Sequence, residues 1–435
     1  MTILLFCLFL ISIPVLWILF DRDLMAPAFI FCVMYTFSIG SALINRERWG
    51  LEISVKTFTI YTVGLLIFIL VNLTCKYIFS KDRQVFLKSE SIQRININYT
   101  FTLVLVVISI ITIYMWIKNV KIIAGVSGSL GQIMEAYRLK TSYSVNADVS
   151  MPGYITQLAK IVIASGYVYG FIFINNVLSK DFKRRDILLL IPVLLYVIMS
   201  IYDSNRLNFL QIAATFVVYY YLLASTDSNF NKKAGKFLCK LLILFSLLLL
   251  VFYSVRLLVG REGSKDTGLI EYITMYSGGP LKLFDMFIRD PIHSTDVWGK
   301  ETFISLNGNL NDLGIINIPK YLGHKEFRSY NGIGLGNVYS AYREWYADFG
   351  MTGIVVLQSI FATFFSIFYY TLKSVGYTKH RFALIMYGYM AATIFLHPID
   401  DQFFRMFVSI GFLIYVVIFY AIYMMSSKKI KIVVD

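Results

Sequence analysis

The chain alternates between long apolar runs and short polar connections along almost its whole length. The runs are about 18 to 25 residues long, which as α-helices is enough to cross a hydrocarbon core of about 30 Å. The predicted spans are residues 3–20, 24–44, 55–78, 100–117, 155–178, 187–202, 207–225, 241–259, 351–372, 382–396 and 406–425. The expected fold is an all-α polytopic membrane protein with about eleven spans, within a range of ten to twelve, and residues 1–435 form one integral membrane domain.

Lysine and arginine collect in alternate connections between these runs. The basic connections are residues 81–94, 180–185, 231–240, 373–381 and 428–431. The connections between them that carry fewer positive charges are residues 45–50, 203–206 and 397–405. Because positively charged short loops stay in the cytoplasm, the carboxyl terminus is predicted to be cytoplasmic and the amino terminus to lie outside.

Composition excludes several classes of function. The formal net charge of +14 is spread over many connections, whereas a nucleic-acid-binding protein concentrates its charge on one folded surface. The first apolar run lacks a basic leader and a small-residue cleavage site, so we expect it to be retained. Cys7, Cys32 and Cys75 lie in predicted spans and Cys239 in a basic connection, which is not the pattern of a disulfide framework. The sequence contains no metal-ligand spacing and no nucleotide-binding motif, so neither a metal nor a cofactor is expected.

Two long polar segments are predicted to face outward, residues 118–153 and residues 260–350. The second has helical signals and many aromatic residues, so we expect it to fold. Within it, LIEYITMY (269–276) and LKLFDMFI (281–288) flank SGGP (277–280). This pattern predicts two short amphipathic helices that are joined by a Gly-Pro turn and lie along the membrane surface.

Three arginines lie at one predicted membrane level. Arg256 is about one turn inside the outer end of the eighth span, Arg261 follows just outside it, and Arg206 occupies the outer turn between the sixth and seventh spans. Guanidinium groups match phosphate oxygens, so a cationic pocket here would suit a lipid-linked phosphate or diphosphate. The alternative is that each arginine extends separately to lipid headgroups.

The connection HPIDDQFFR (397–405) brings ionisable residues together between the last two spans. It contains His397, Asp400, Asp401 and Arg405. Two neighbouring carboxylates can raise each other's pKa, which suits a general base, and Arg405 can instead neutralise one of them. The alternative is a solvated loop with an internal salt bridge.

The segment VYSAYREWYADFGMTG (338–353) crowds charged and aromatic residues into a few turns before the ninth span. As a helix ending at Gly350, it would place Glu344 and Asp348 together on one face. Another face would carry Tyr339, Tyr342, Arg343 and Tyr346. Interfacial anchoring by tyrosine and tryptophan is the alternative explanation for the aromatic residues. Sugar rings also pack on aromatic side chains, so Tyr276, Tyr339, Tyr342 and Tyr346 are candidate glycan-binding residues.

The sequence resembles the bacterial O-antigen polymerases, also described as oligosaccharide repeat-unit polymerases (Wzy-type). The resemblance covers most of the chain. Its features are the span count, the large outer segment before the last three spans, YDSNRLNFLQ with Arg206, YSGGPLKLFD, and GNVYSAYREWYADFGMTGIV. The last is similar to the family's pattern of Asn, then an aromatic residue, then Asp-Phe-Gly-x-x-Gly at the start of a span. Where many members have Ser-Arg-Gly, this chain has Ser-Asn-Arg-Leu at residues 204–207.

The resemblance implies a metal-independent glycosyltransferase of the integral-membrane GT-C type at the outer face of the bacterial inner membrane. It would polymerise repeat units linked to undecaprenyl diphosphate into O-antigen or capsule, with a chain-length regulator as partner. Candidate catalytic residues are Asp348, Glu344, His397, Asp400 and Asp401. Candidate diphosphate-binding residues are Arg206, Arg256, Arg261, Arg343 and Arg405. A flippase for the same lipid-linked glycan and a ligase-type transferase are the competing interpretations.

Overall fold

The protein folds into two compact units, each assembled from three stretches of the chain. In the computed structural model, the described residues are 1–80, 92–142, 150–203, 205–227, 230, 234–256, 258, 267–292, 296–318 and 323–427, without the side chains of residues 80 and 234–242. The first unit comprises residues 1–87, 267–375 and 390–412. The second comprises residues 88–266, 376–389 and 413–435.

The described residues are mostly helical, and nine of their helices are long and apolar enough to cross a membrane. They are Thr2–Leu19, Pro27–Ile44, Val55–Phe79, Tyr99–Ala124, Gly153–Leu178, Arg184–Tyr202, Leu207–Ala224, Tyr342–Val375 and Ile410–Ser427. Each corresponds to one predicted span. The other two predicted spans correspond to shorter apolar helices, Ile243–Ser254 and Arg381–Leu396. The protein is therefore polytopic, as predicted from the apolar runs, and the count of eleven spans stays a prediction.

The first unit contains the membrane helices α1, α2, α3 and α12, and a further long helix, α10. Their bounds are α1 Thr2–Leu19, α2 Pro27–Ile44, α3 Val55–Ser80, α10 Leu269–Arg289 and α12 Tyr342–Val375. The amide of Asn72 in α3 donates to Ser366 Oγ in α12 (2.8 Å), and Gln358 Nε2 in α12 donates to the backbone carbonyl of Gly64 (3.2 Å). Such bonds hold helices together where lipid supplies no hydrophobic drive for association.

The prediction of two short helices joined at SGGP is wrong, because residues 269–289 form the single helix α10. Gly278 faces α2 so closely that a Cβ atom there would lie 2.4 Å from the backbone nitrogen of Ala42. The backbone carbonyl of Ser277 also accepts a hydrogen bond from Ser38 Oγ (2.6 Å). Pro280 lies inside the helix. Packing against α2 thus outweighs the turn preference of the Gly-Gly-Pro sequence.

The rest of the long polar segment adds a short helix and a hairpin to the first unit. The elements are α11 Ile304–Asp312, β1 Arg328–Tyr330 and β2 Ile333–Gly336. The hairpin turns at Asn331 and Gly332, which both have positive φ (47° and 78°), as expected of an Asn-Gly turn. Arg328 connects the hairpin to the end of α10 by donating to the backbone carbonyls of Met286 (3.0 Å) and Asp290 (2.9 Å). The described part of residues 260–350 is therefore folded.

The second unit is built on α4 to α9 and on parts of α13 and α15. The bounds are α4 Tyr99–Ala124, α5 Leu130–Ser142, α6 Gly153–Leu178, α7 Leu190–Tyr202, α8 Leu207–Ala224, α9 Ala234–Ser254, α13 Arg381–Leu396 and α15 Ile410–Ser427. The short helix α14, Gln402–Phe407, belongs to the first unit. The segment before α4 is fixed by a buried ion pair between Arg94 and Asp186 (2.6 Å) and by Asn176, whose side chain pairs with both backbone groups of Ile95.

Gly278→Ala should lower the melting temperature of the purified protein, and Gly279→Ala should not. Both changes replace glycine inside α10, so the gain in helix propensity is the same. Only the methyl group at residue 278 meets the α2 backbone, whereas at residue 279 the nearest atom would be 3.9 Å away. We expect a loss of about 1–3 kcal/mol at residue 278. Equal melting temperatures would contradict the close contact of α10 with α2.

Candidate functional site

The segment 338–353 forms the entry to α12 and contains a sharp break. Helix α12 begins at Tyr342, and Gly350 interrupts it with φ 61° and ψ −148°, a backbone conformation suited to glycine. The polar turns before Gly350 and the apolar helix after it therefore run in different directions. Tyr339 precedes the helix, so it does not continue the helical face that was predicted to carry Tyr342, Arg343 and Tyr346.

Arg343 lies between two glutamates of the long polar segment. Its Nη1 is 2.5 Å from Glu301 Oε2, and its Nη2 is 2.8 Å from Glu326 Oε2. The guanidinium group also stacks over the ring of Phe287 at 4.1 Å. Burial acts to raise the pKa of Glu326, but Arg343 outweighs burial and lowers it. Arg343 therefore holds this segment on α12, and its role in binding diphosphate stays a prediction.

Four further charged side chains form what we call the charge network: Lys325, Glu344, Asp400 and Arg405. Lys325 Nζ is 2.6 Å from both Glu344 Oε1 and Asp400 Oδ1. Arg405 Nη1 is 3.3 Å from Glu344 Oε1 and 3.0 Å from Asp400 Oδ2. Arg405 Nη2 also donates to the backbone carbonyl of Gly323 (3.3 Å). Two cations thus bracket two carboxylates that come from α12 and from the connection before α14.

Three members of the charge network, Lys325, Asp400 and Arg405, are ionised at neutral pH. Burial disfavours the charge on Lys325, but Asp400 and Glu344 outweigh burial and raise its pKa. Burial likewise acts against Asp400, yet Lys325 and Arg405 hold its pKa well below the usual range. Burial also acts against Arg405, and the carboxylates around it raise its pKa. Arg405 and Asp400 reach the surface, with 23% and 14% of their side chains exposed, whereas Lys325 and Glu344 are buried.

Asp348 and Asp401 accept hydrogen bonds from the backbone. Asp348 accepts from the backbone nitrogens of Thr302 (2.7 Å) and Glu301 (3.1 Å). Asp401 is the N-cap of α14 and accepts from Phe403 and Phe404, both at 3.0 Å. Its other oxygen accepts from Trp345 Nε1 at 2.7 Å, and burial raises its pKa to about 6. These contacts give both predicted catalytic residues a part in fixing the local backbone.

His397 lies in an enclosure of aromatic rings. The centroids of five rings lie within 4.9 to 5.7 Å of its own, those of Phe31, Tyr35, Tyr342, Trp345 and Phe361. Its Nδ1 is 2.7 Å from the hydroxyl of Tyr35, and its backbone carbonyl accepts from Ala341. Burial lowers its pKa to about 3, so the ring is neutral at physiological pH. The enclosure separates this predicted catalytic residue from solvent.

The candidate glycan-binding tyrosines differ in accessibility. Tyr339 and Tyr342 are fully buried, so no sugar can stack on them in this conformation. Tyr346 is also buried, and Lys56 Nζ lies 4.7 Å from the centre of its ring. Tyr276 is half-buried and packs beside Tyr272 with ring centroids 4.9 Å apart. Of the four, Tyr276 is the one with an accessible surface.

Arg206 and Arg256 both belong to the second unit, and each contacts an aromatic ring near the carboxyl end of α9. Arg206, just before α8, is 4.9 Å from the ring centre of Phe252, and Arg256, just after α9, is 3.6 Å from that of Tyr253. Both arginines are buried. The structure thus brings these two predicted diphosphate ligands to one end of α8 and α9, while Arg343 and Arg405 belong to the first unit. Arg261 lies outside the described residues.

Three residues with central contacts were absent from the sequence prediction: Glu301, Lys325 and Glu326. They lie in connections without helical or strand periodicity, where a charged residue is ordinarily a solvated one. One signal was present, since HKEF (324–327) is a compact charged group inside a segment that is expected to fold. A second signal was the charge of Glu344 and Asp400, because carboxylates that are buried need cations nearby to balance them.

Comparisons with protein families, with curated proteins and with solved structures found no match to this chain. Among the residues that the structure describes, no group of three or more histidine, cysteine, aspartate or glutamate side chains is arranged to hold a metal ion. The functional interpretation therefore depends on the contacts of the residues themselves.

Arg343→Met should destabilise the protein by about 3 kcal/mol, because it leaves two glutamates beside an apolar side chain. Arg46→Met is the matched control, since Arg46 pairs with Glu52 at an exposed site and such pairs contribute about 0–1 kcal/mol. Thermal unfolding of both variants in detergent measures the difference. If Arg343→Met unfolds at the same temperature as Arg46→Met, the two glutamate contacts do not hold the polar segment in place.

Proposed function

We propose that this chain is a glycosyltransferase that polymerises lipid-linked oligosaccharide repeat units at the outer face of a bacterial inner membrane. The substrate would be a glycan on undecaprenyl diphosphate, and the product a surface polysaccharide such as O-antigen or capsule. A GT-C-like architecture and a chain-length regulator as partner belong to the same proposal. The motif similarity described for the sequence supports it, and so does the chemistry of the first unit.

The charge network is the observation that carries the proposal. Burying ions costs several kcal/mol each, so a folded protein retains them where pairing is good or where they act on a substrate. The network lies where the polar segment meets an apolar helix, and Arg405 and Asp400 are its exposed members. This combination of carboxylates and cations beside an apolar surface suits a polar glycan on a lipid carrier.

The reaction needs an anionic leaving group to be stabilised and an acceptor hydroxyl to be deprotonated. Breaking the bond between the anomeric carbon and the diphosphate develops negative charge on the phosphate oxygens. Preplaced guanidinium groups stabilise such charge. The candidates are Arg405 in the first unit and, as a separate alternative, Arg206 and Arg256 in the second. Arg343 also pairs with two carboxylates, but its side chain is 2% exposed against 23% for Arg405, which makes it a less suitable ligand than Arg405.

The geometry narrows the choice of general base. Asp348 and Asp401 already accept hydrogen bonds on both carboxylate oxygens, so taking a proton would require one of these contacts to break. Burial among aromatic rings lowers the pKa of His397 to about 3, which makes it a weak base near neutral pH. Glu344 and Asp400 of the charge network are the remaining candidates.

A strain that lacks this chain should carry surface glycan limited to a single repeat unit, because transport and ligation continue while polymerisation stops. Gel analysis of the surface glycan measures this. Absence of repeat units from the outer face would contradict the proposal and favour a flippase. Long chains that accumulate on the lipid carrier without reaching their final acceptor would contradict it in favour of a ligase.

Arg256→Ala should reduce chain extension by about 100-fold if Arg256 stabilises the leaving diphosphate. Arg22→Ala is the matched control, since Arg22 is an exposed arginine between α1 and α2 and should leave the chain length unchanged. The amount of each protein in the membrane is measured by immunoblot, and chain length by gel. Long chains from an Arg256→Ala protein of normal abundance would exclude this residue from the diphosphate site.

A further inference from the structure

Glu344 is held asymmetrically by the charge network. Its Oε1 lies 2.6 Å from Lys325 Nζ and 3.3 Å from Arg405 Nη1. Its Oε2 is buried and accepts no hydrogen bond from any residue that the structure describes. An unsatisfied buried acceptor costs about 1–3 kcal/mol, so this oxygen favours a group that donates a proton to it.

Asp400, the other carboxylate of the network, differs from Glu344 because hydrogen-bond donors contact both of its oxygens. Lys325 contacts its Oδ1, Arg405 contacts its Oδ2, and Gln402 Nε2 also donates to Oδ2. Because donors hold both of its oxygens, protonation of Asp400 would require one of these contacts to break. The two carboxylates thus share the same cations, but only Glu344 has an oxygen without a donor among the described residues.

On the basis of the proposed function, we infer that Glu344 takes the proton from the acceptor sugar hydroxyl and that Lys325 is its positioning residue. The acceptor oxygen attacks the anomeric carbon of the donor glycan and forms the new glycosidic bond. The bond from that carbon to the carrier diphosphate breaks, and the diphosphate leaves with its electron pair. The hydroxyl proton passes to Glu344 Oε2 and later to water. Lys325 fixes Oε1 and so determines where Oε2 points.

The charges around Glu344 explain why a lysine is needed there. Burial disfavours its ionised form, and Asp400 and Asp401 also oppose it, whereas Lys325 and Arg405 favour it. Without Lys325, Arg405 alone would face three neighbouring carboxylates. Glu344 would then hold its proton to higher pH than it does in the intact charge network.

The test uses full-length protein in proteoliposomes, with single repeat units on undecaprenyl diphosphate extracted from the strain that lacks this chain. Glu344→Gln keeps the shape and the acceptor oxygen near Lys325 but cannot take a proton. We expect its rate of polymerisation to fall by at least about 100-fold with little change in KM. Glu271→Gln is the matched control. Glu271 lies on α10 and forms a half-exposed ion pair with Arg48, so this variant should retain the wild-type rate.

Lys325→Met tests the positioning role through the dependence of the rate on pH. The acid limb of the profile should move to higher pH, and Lys325→Arg should restore its position, because either cation favours the ionised carboxylate. A variant damaged only in folding would lose rate equally at every pH. An unmoved acid limb in Lys325→Met would overturn the role of Lys325.

The remaining outcomes separate this inference from the proposed function. Wild-type protein that makes no polymer would overturn the proposed function and the base assignment together. Wild-type polymerisation with an equally active Glu344→Gln would overturn the base assignment alone. If Glu344→Gln does not fold, Glu344→Asp provides the test, since its shorter side chain stays ionisable but withdraws the oxygen. We expect a rate loss of at least about 10-fold, and an unchanged rate would overturn the assignment.

Discussion

The first unit depends on the pairing of Lys325 with Glu344 and Asp400. Each of these groups would be costly to bury alone, and together with Arg405 they form a compact set of two cations and two carboxylates. The contacts join three parts of the chain: the segment before the hairpin, the start of α12 and the connection that precedes α14. Because each cation contacts both carboxylates, these contacts hold the three parts together as a set.

The neighbouring carboxylates show how such a site separates structural from chemical roles. Asp348 and Asp401 accept backbone hydrogen bonds and fix the turns around the network, and Arg343 holds the polar segment through Glu301 and Glu326. The contacts of these groups stabilise the fold. The network members that reach the surface, Arg405 and Asp400, and the buried Glu344 beside them remain for chemistry. The polymerase proposal assigns the diphosphate to arginines and the acceptor hydroxyl to a carboxylate, which is the division that their charges permit.

The sequence was a good guide to the membrane helices and to Gly350, because apolar length and a glycine at a helix break are local properties. It failed at SGGP, where turn preference lost to the close packing of Gly278 on α2. It also grouped Asp348, Asp401, Glu344, Asp400 and His397 as equivalent bases. Contacts between residues that are distant in sequence decide which carboxylate accepts backbone hydrogen bonds and which pairs with Lys325. The same kind of contact buries Tyr339 and Tyr342. No local pattern carries that information.

The central claim is that this chain forms glycosidic bonds between lipid-linked repeat units. The most direct measurement is reconstitution of the purified protein with these units while glycan length and released undecaprenyl diphosphate are followed together. The account predicts a ladder of glycans that grows by whole repeat units, with one lipid diphosphate released for each bond formed. Movement of intact single units across the bilayer, with neither longer glycan nor released carrier, would contradict it.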